Sequence, residues 1–402
     1  MGRLPPSTRI LQSITLNCIE LYRIVREMIK KGDFAMPIST SLRLLVMAAC
    51  LTISASGWAQ AQSSGGPRPS VVVDRDGTVH APAMAVPQSE FLSPEGKAYV
   101  TDHLLDMQNP AQVAQTDGVP AFMRGYIDRQ HELYPVNTED THIAGVHAVV
   151  HTPKAGIAKE NENRVLINLH GGGFMGCWPA CATLESIPVA SLGRIKVIAL
   201  DYREAPEHTF PAASEDVASV YKELLKSYKP ENIGIYGCSA GGMLAGEAIS
   251  WFIAHDLPVP GAAGMFCSGL TISATGFGGD AGYFTLPIGE GRVPPRPEAN
   301  QNARTGMPYF KGADTDSPLI SVANYPKVLA KFPPSLIITA SRDFAFSSAV
   351  HTHAELVKAG AEADLHVWDG LFHGFFYNPD VPESQDAYAI MVGFFDRHLG
   401  RE

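Results

Sequence analysis

The stretch Asn232-Ile233-Gly234-Ile235-Tyr236-Gly237-Cys238-Ser239-Ala240-Gly241-Gly242-Met243 decides the reading of this chain. It opens as a short apolar run of strand type, and from 243 to 253 the apolar spacing is helical. Between the two, Gly237-Cys238-Ser239-Ala240-Gly241 fits G-x-S-x-G in the strand–turn–helix context that the pattern needs. The chain must reverse so sharply there that the middle residue is forced into a strained backbone conformation. A side chain at Gly237 or Gly241 would then collide with the neighbouring strand or helix. The turn lifts the Ser239 hydroxyl above the sheet edge, and the helix after it offers N-terminal N–H groups to a developing anion. Ser239 is the candidate nucleophile. The plainer alternative is a glycine-rich turn with an incidental serine.

Working outward, further short apolar runs occur at 165–169, 196–200, 262–266, 336–339 and 365–368. Helical patterns follow at 214–228, 348–359 and 387–399, and 145–152 has the look of one more strand. Continuous apolar strands alternating with helices predict a mainly parallel sheet covered on both faces. Gly, Pro and Asn dominate from 271 to 325, which reads as an inserted lid. Together with helices expected in 91–140, this insertion is read as a helical cap over a core spanning 141–402.

Two other loops supply the partners a serine nucleophile needs. His170-Gly171-Gly172-Gly173-Phe174 follows the strand at 165–169. Attack on a carbonyl creates an oxyanion that needs pre-aimed donors, and glycines let backbone N–H groups approach without a Cβ in the way. The candidate donors are the amides of Gly172, Gly173 and Ala240. A phosphate-cradling loop is disfavoured, because neither nucleotide-binding glycine pattern is present. His170 reads as a structural residue rather than a base. His373, just beyond the strand at 365–368, best fits the chain order Ser…Asp…His among fourteen histidines. Asp343, at the end of the strand at 336–339, can hold its tautomer and stabilise the imidazolium. Asp369 is the serious rival for that role, with Asp364 and Asp316 behind it. If His373 is the base, activity should fall as pH drops through the ordinary histidine range, about 6.5.

Composition sets the limits. The chain has 402 residues, 45% hydrophobic and 18% charged, enough to bury a large core. A formal charge of −10 points away from nucleic acid. Six cysteines in so long a chain are not a disulfide scaffold. No apolar run reaches about 18 residues, so stable membrane insertion is not expected. Near the N-terminus, Arg43, an apolar run at 44–53 and Ala59-Gln60-Ala61 read as a signal peptide over 36–61. A flexible leader over 62–90 begins with Ser63-Ser64-Gly65-Gly66-Pro67. Residues 1–35 then look like an upstream over-extension, and the protein is expected to be periplasmic or secreted.

Taken together, these motifs resemble the hormone-sensitive-lipase-like family of α/β-hydrolases, among them bacterial carboxylesterases and lactone hydrolases. The resemblance rests on His170-Gly171-Gly172-Gly173, Asp201-Tyr202-Arg203, Ala205-Pro206-Glu207-His208, Phe210-Pro211-Ala212, Gly237-Cys238-Ser239-Ala240-Gly241-Gly242, Ser317-Pro318-Leu319 and His373-Gly374-Phe375. It implies an α/β-hydrolase fold with a helical cap and ester hydrolysis by Ser239, His373 and Asp343, with no cofactor and no metal. It also implies that 201–212 buttresses the oxyanion loop. The chain departs from the pattern at Glu204, often Leu; at Asp343-Phe344-Ala345, often Asp-Pro-Leu; and at Cys238. Phe174 and Trp178, with Tyr283 and Phe284, are expected to line the pocket. Cys177 and Cys181 flank Trp178; a disulfide there would stiffen the loop, but four-residue spacing on a helix points thiols poorly for bonding. The expected activity is hydrolysis of a small or medium acyl ester. A lactone, carbamate or amide on the same triad is the alternative, and a non-catalytic small-molecule receptor a third reading. Oligomeric state is left open.

Overall fold

A computed structural model describes residues 72–75, 79–80, 85–116, 118–272, 279–281 and 307–400. The signal peptide, the upstream segment, most of the leader and the centre of the insertion, with Tyr283 and Phe284, lie outside the described residues. The chain divides into two units, 1–85 and 86–402. In the first, Val72–Val73 pairs antiparallel with Val79–His80.

The second unit is built on eight strands: β1 (Val136–Ile143), β2 (Val146–Pro153), β3 (Val165–Leu169), β4 (Lys196–Leu200), β5 (Ile233–Cys238), β6 (Ala262–Phe266), β7 (Ser335–Ala340) and β8 (Ala363–Trp368). Their order across the sheet is β1-β2-β4-β3-β5-β6-β7-β8. The pairs from β4 through to β8 are parallel; β1–β2 and β2–β4 are antiparallel. Every residue of β3, β5, β6 and β7 is buried, as expected of strands covered on both faces. β1 was not expected from the sequence: Val136-Asn137-Thr138-Glu139-Asp140-Thr141-His142-Ile143 is polar because it forms an exposed edge.

Helices α1 (Pro94–Asp106), α2 (Ala121–Leu133), α3 (Ala180–Gly193), α4 (Ala212–Leu224), α5 (Ala240–Ala254), α6 (Phe346–Lys358) and α7 (Pro382–His398) accompany the sheet. On one face Leu184 and Ile187 of α3 and Tyr388, Phe394 and Phe395 of α7 pack with Leu166 and Tyr236. On the other face Val217 and Tyr221 of α4 and Leu244 and Phe252 of α5 pack with Ile167 and Ile235. α3 is a second element the sequence did not reveal. It is buried along most of its length and carries Pro188 inside it, so no amphipathic stripe marks it.

β3 and β5 are neighbours, and the chain leaves β3 toward β4 on one side before returning to β5 on the other. The carboxyl ends of β3 and β5 therefore flank the crevice where open sheets of this kind hold their ligands. α1 and α2 brace the loop beyond β8. Ser93 caps α1 through Gly96 N and is held by Glu383 of α7, its Oγ 2.9 Å from Oε2. His103 stacks on Phe372 at 3.8 Å, and Gln130 Nε2 donates to the carbonyls of Leu184 and Tyr377.

Candidate active site

Ser239 joins β5 to α5 with φ 58° and ψ −120°, a backbone conformation that non-glycine residues rarely adopt. The crowding that forces it comes from β3. A Cβ on Gly241 would lie 1.7 Å from the Leu169 carbonyl oxygen, and one on Gly237 would lie 2.1 Å from the same atom. Both glycines are present because one backbone carbonyl passes against the turn on both sides. Ser239 N donates to the Phe266 carbonyl at 2.8 Å, which ties the elbow to the end of β6. The serine is half-buried.

The loop after β3 is bent by Gly172 (φ 124°), Gly173 (φ 67°) and Phe174 (φ 58°). A Cβ on Gly172 would fall 1.8 Å from the Gly176 carbonyl oxygen, so only glycine fits. The amides of Gly172 and Gly173 donate to no backbone acceptor among the described residues, and Gly172 is exposed. His170 beside them is fully buried, stacked on Tyr202 at 4.5 Å, and burial lowers its imidazole to about 4. It is a neutral packing residue near neutrality. Tyr202 Oη donates to the His170 carbonyl at 2.6 Å, Ala205 N donates to the Phe174 carbonyl, and Arg203 holds Asp216. The 201–212 segment thus supports the glycine loop from behind.

His373 Nδ1 lies 2.8 Å from Asp343 Oδ1. Asp343 is fully buried, and its carboxylate also accepts from Ala345 N and Thr339 Oγ1. With Nδ1 directed at the carboxylate, Nε2 is left as the basic nitrogen. Asp369 is elsewhere: it accepts from Ser89 Oγ and Ser341 Oγ. Asp364 pairs with Arg397, and Asp316 is exposed in the inserted region. Phe344 stacks on the His373 ring at 4.1 Å. Cys267, next to the residue that anchors Ser239, accepts from Gly374 N at 3.2 Å. Two consecutive residues at the end of β6 therefore touch the serine elbow and the histidine loop. Burial raises the thiols of Cys238 and Cys267, keeping both protonated. Ligand atoms of Cys267, Asp343 and His373 lie within 4.8 Å of one another, a grouping that could hold a metal ion.

Residues 166–377 match the Abhydrolase_3 family, described as alpha/beta hydrolase fold. The chain belongs to this family. An acetyl-hydrolase of Streptomyces hygroscopicus is 28% identical over 60% of this chain and 77% of that protein. The carboxylesterase/phospholipase LipF of Mycobacterium tuberculosis is 29% identical over 60% of this chain and 63% of its own length. Among solved structures, the esterase E25 superposes with TM-score 0.66 at 26% identity, covering 80% of this chain and 98% of that one. An esterase of the bacterial hormone-sensitive lipase family gives TM-score 0.63 at 25% identity, over 77% and 99%.

Two expectations about this hydrolase change. Phe174 does not face an open pocket: it is fully buried, stacked on Tyr309 at 4.6 Å, because its positive φ turns the side chain into the core. Trp178 remains half-buried beside His170 and His147. Cys177 and Cys181 are disulfide-bonded, with Cα atoms 5.4 Å apart. The helical-spacing objection fails because Cys177 lies ahead of α3 with φ 83°.

The residue that sequence reasoning missed is Glu185 on α3. Its carboxylate accepts from Gly171 N (2.9 Å), Asn168 Nδ2 (3.0 Å), Cys238 N (3.1 Å) and Tyr377 Oη (2.9 Å). A glutamate inside an unrecognised helix carries no sequence signal of such a role.

Substituting Gly241→Ala should abolish turnover and lower the yield of folded protein, because the Leu169 carbonyl cannot withdraw without breaking β3 from β5. Soluble expression and p-nitrophenyl acetate turnover check this; full activity in a folded Gly241→Ala protein would contradict it.

Burial raises the carboxyl of Glu185 to about 7, that of Glu204 to about 8, and that of Glu247 well above the ordinary value. Neither carboxylate oxygen of Glu247 has a hydrogen-bond partner among the described residues. Such groups hold a proton more tightly folded than unfolded. Their stabilising contribution is complete below the ordinary glutamate range, about 4.3, and is lost as pH rises through the folded values. Burial lowers His151 and His170 to about 4, so their contribution is complete above the ordinary histidine range and is lost only on acidification. Tm should therefore decline between about pH 6.5 and about pH 8. Scanning calorimetry checks this, and a rising Tm across that window would contradict it.

Proposed function

We propose that this chain is an exported serine carboxylesterase acting on esters of small or medium acyl groups. Its class, a carboxylesterase-type hydrolase, follows from the family and from the esterases it resembles. The observation that carries the mechanism is the 2.8 Å contact of His373 Nδ1 with buried Asp343, on a loop sharing the β6 end with the strained Ser239 turn. In this reading Ser239 Oγ attacks the ester carbonyl while His373 Nε2 takes its proton. The amides of Gly172, Gly173 and Ala240 receive the charge that develops on the carbonyl oxygen. His373 returns the proton to the leaving alcohol, an acyl-enzyme forms on Ser239, and water activated by the same imidazole releases the acid. Asp343 fixes the tautomer and stabilises the imidazolium. The name of the Streptomyces acetyl-hydrolase favours short acyl groups. Export rests on the residues of 36–61 alone: a short apolar run at 44–53 followed by Ala59-Gln60-Ala61.

The test is a series of p-nitrophenyl esters from acetyl to palmitoyl on the full chain, with two variants. Short and medium acyl groups should give the highest kcat/KM, and palmitoyl the lowest. Ser239→Ala should remove turnover to background, and Asp343→Asn should lower kcat by about 10³–10⁴-fold. Full hydrolysis by Ser239→Ala would end the proposal.

A further inference from the structure

The proposed machinery is spread over several loops, and four donors, three from those loops and one from β3, meet on one carboxylate. Gly171 N belongs to the oxyanion loop, one residue before Gly172. Cys238 N belongs to the residue before Ser239. Tyr377 Oη comes from the turn after His373, and Asn168 Nδ2 from the end of β3. Each Glu185 oxygen accepts two of these bonds: Gly171 N and Tyr377 Oη on Oε1, Asn168 Nδ2 and Cys238 N on Oε2. The side chain is buried at 4% exposure, so water does not substitute for any of them. Its own segment is also held: Tyr236 Oη donates to the Glu185 carbonyl and Gln130 Nε2 to that of Leu184. The Cys177–Cys181 disulfide ties the start of the same helix to the far end of the oxyanion loop.

We propose that Glu185 is a positioning residue for the hydrolysis, fixing the oxyanion amides of the glycine loop relative to the Ser239 nucleophile. The inference rests on the serine-esterase reading above and adds to it a residue outside the triad. The two walls of the oxyanion site, Gly172–Gly173 and Ala240, belong to separate chain segments. Within hydrogen-bonding distance of the residues preceding both walls stands one acceptor with two oxygens. Ionised, as it is above about pH 7, the Glu185 carboxylate suits four donors, since it then presents only lone pairs to them. An amide in its place would set an N–H₂ against two donors and push at least one loop away. Substrate in its ground state makes little demand on that spacing. A tetrahedral oxyanion does, so the loss should appear in transition-state binding rather than in KM.

The experiment compares wild type, Glu185→Gln and Tyr377→Phe as full chains, using p-nitrophenyl acetate and a methyl trifluoromethyl ketone that adds to Ser239 as a tetrahedral hemiketal. Removing one oxyanion donor typically costs about 10²–10³ in turnover, so displacing the donors in Glu185→Gln should lower kcat by about 10–10²-fold. KM should stay within about threefold, and the ketone Ki should rise by the same factor as kcat/KM falls. Tyr377→Phe removes one of the four bonds and should shift kcat and Ki together by a smaller factor. If Glu185→Gln does not fold, Tyr377→Phe alone decides. The proposal is overturned if a folded variant loses stability or kcat while its ketone Ki matches wild type. A wild type that the ketone does not inhibit would overturn the serine-esterase reading as well, which separates the two failures.

Discussion

The Leu169 carbonyl wedged between Gly237 and Gly241 is the constraint on which the site depends. Its closeness leaves no room for a Cβ on either glycine. The serine between them is driven into positive φ and stands clear of the sheet. The same carbonyl is the last of β3, so the atom that shapes the nucleophile turn also begins the glycine loop. Strain at residue 239, about 1–3 kcal/mol for such a backbone, is sustained by the buried strands around it. The Ser239 turn and the glycine loop are thus set against each other by backbone packing, which is what the proposed nucleophile and oxyanion donors require.

Around that contact the site is arranged by burial. Asp343 is sealed from solvent and carries three donors, whereas His373 and Ser239 keep partial exposure. In the proposed mechanism orientation therefore comes from inside the protein and substrate from outside it. Phe344 on the His373 ring and α1, through Tyr99 and His103, on Phe372 hold the His373 loop from two directions. Burial pushes the Glu185 carboxyl up to about 7, and its four donors work against that shift without cancelling it.

What the sequence disclosed follows from physical necessity. Glycines at 237, 241 and 172 are compelled by close backbone approach, so a pattern of glycines could be read as geometry. Strands buried on both faces are continuous apolar runs, which made β3 to β7 legible. Features set by tertiary convergence were not. β1 is polar because one edge faces water, and α3 hides its helical character behind all-round burial and Pro188. Phe174 was read as pocket-lining from its position, but its backbone turns it into the core. Glu185 acquires its partners only when residues 168, 171, 238 and 377 meet.

The central claim is that Ser239 alone is activated by the His373–Asp343 pair. Labelling the full chain with a fluorophosphonate, followed by peptide mass mapping, tests it most directly. The account predicts a single adduct, on Ser239, whose formation slows sharply in His373→Ala and in step with lost ester hydrolysis. An adduct on another residue, or hydrolysis that persists with Ser239 fully labelled, would contradict it.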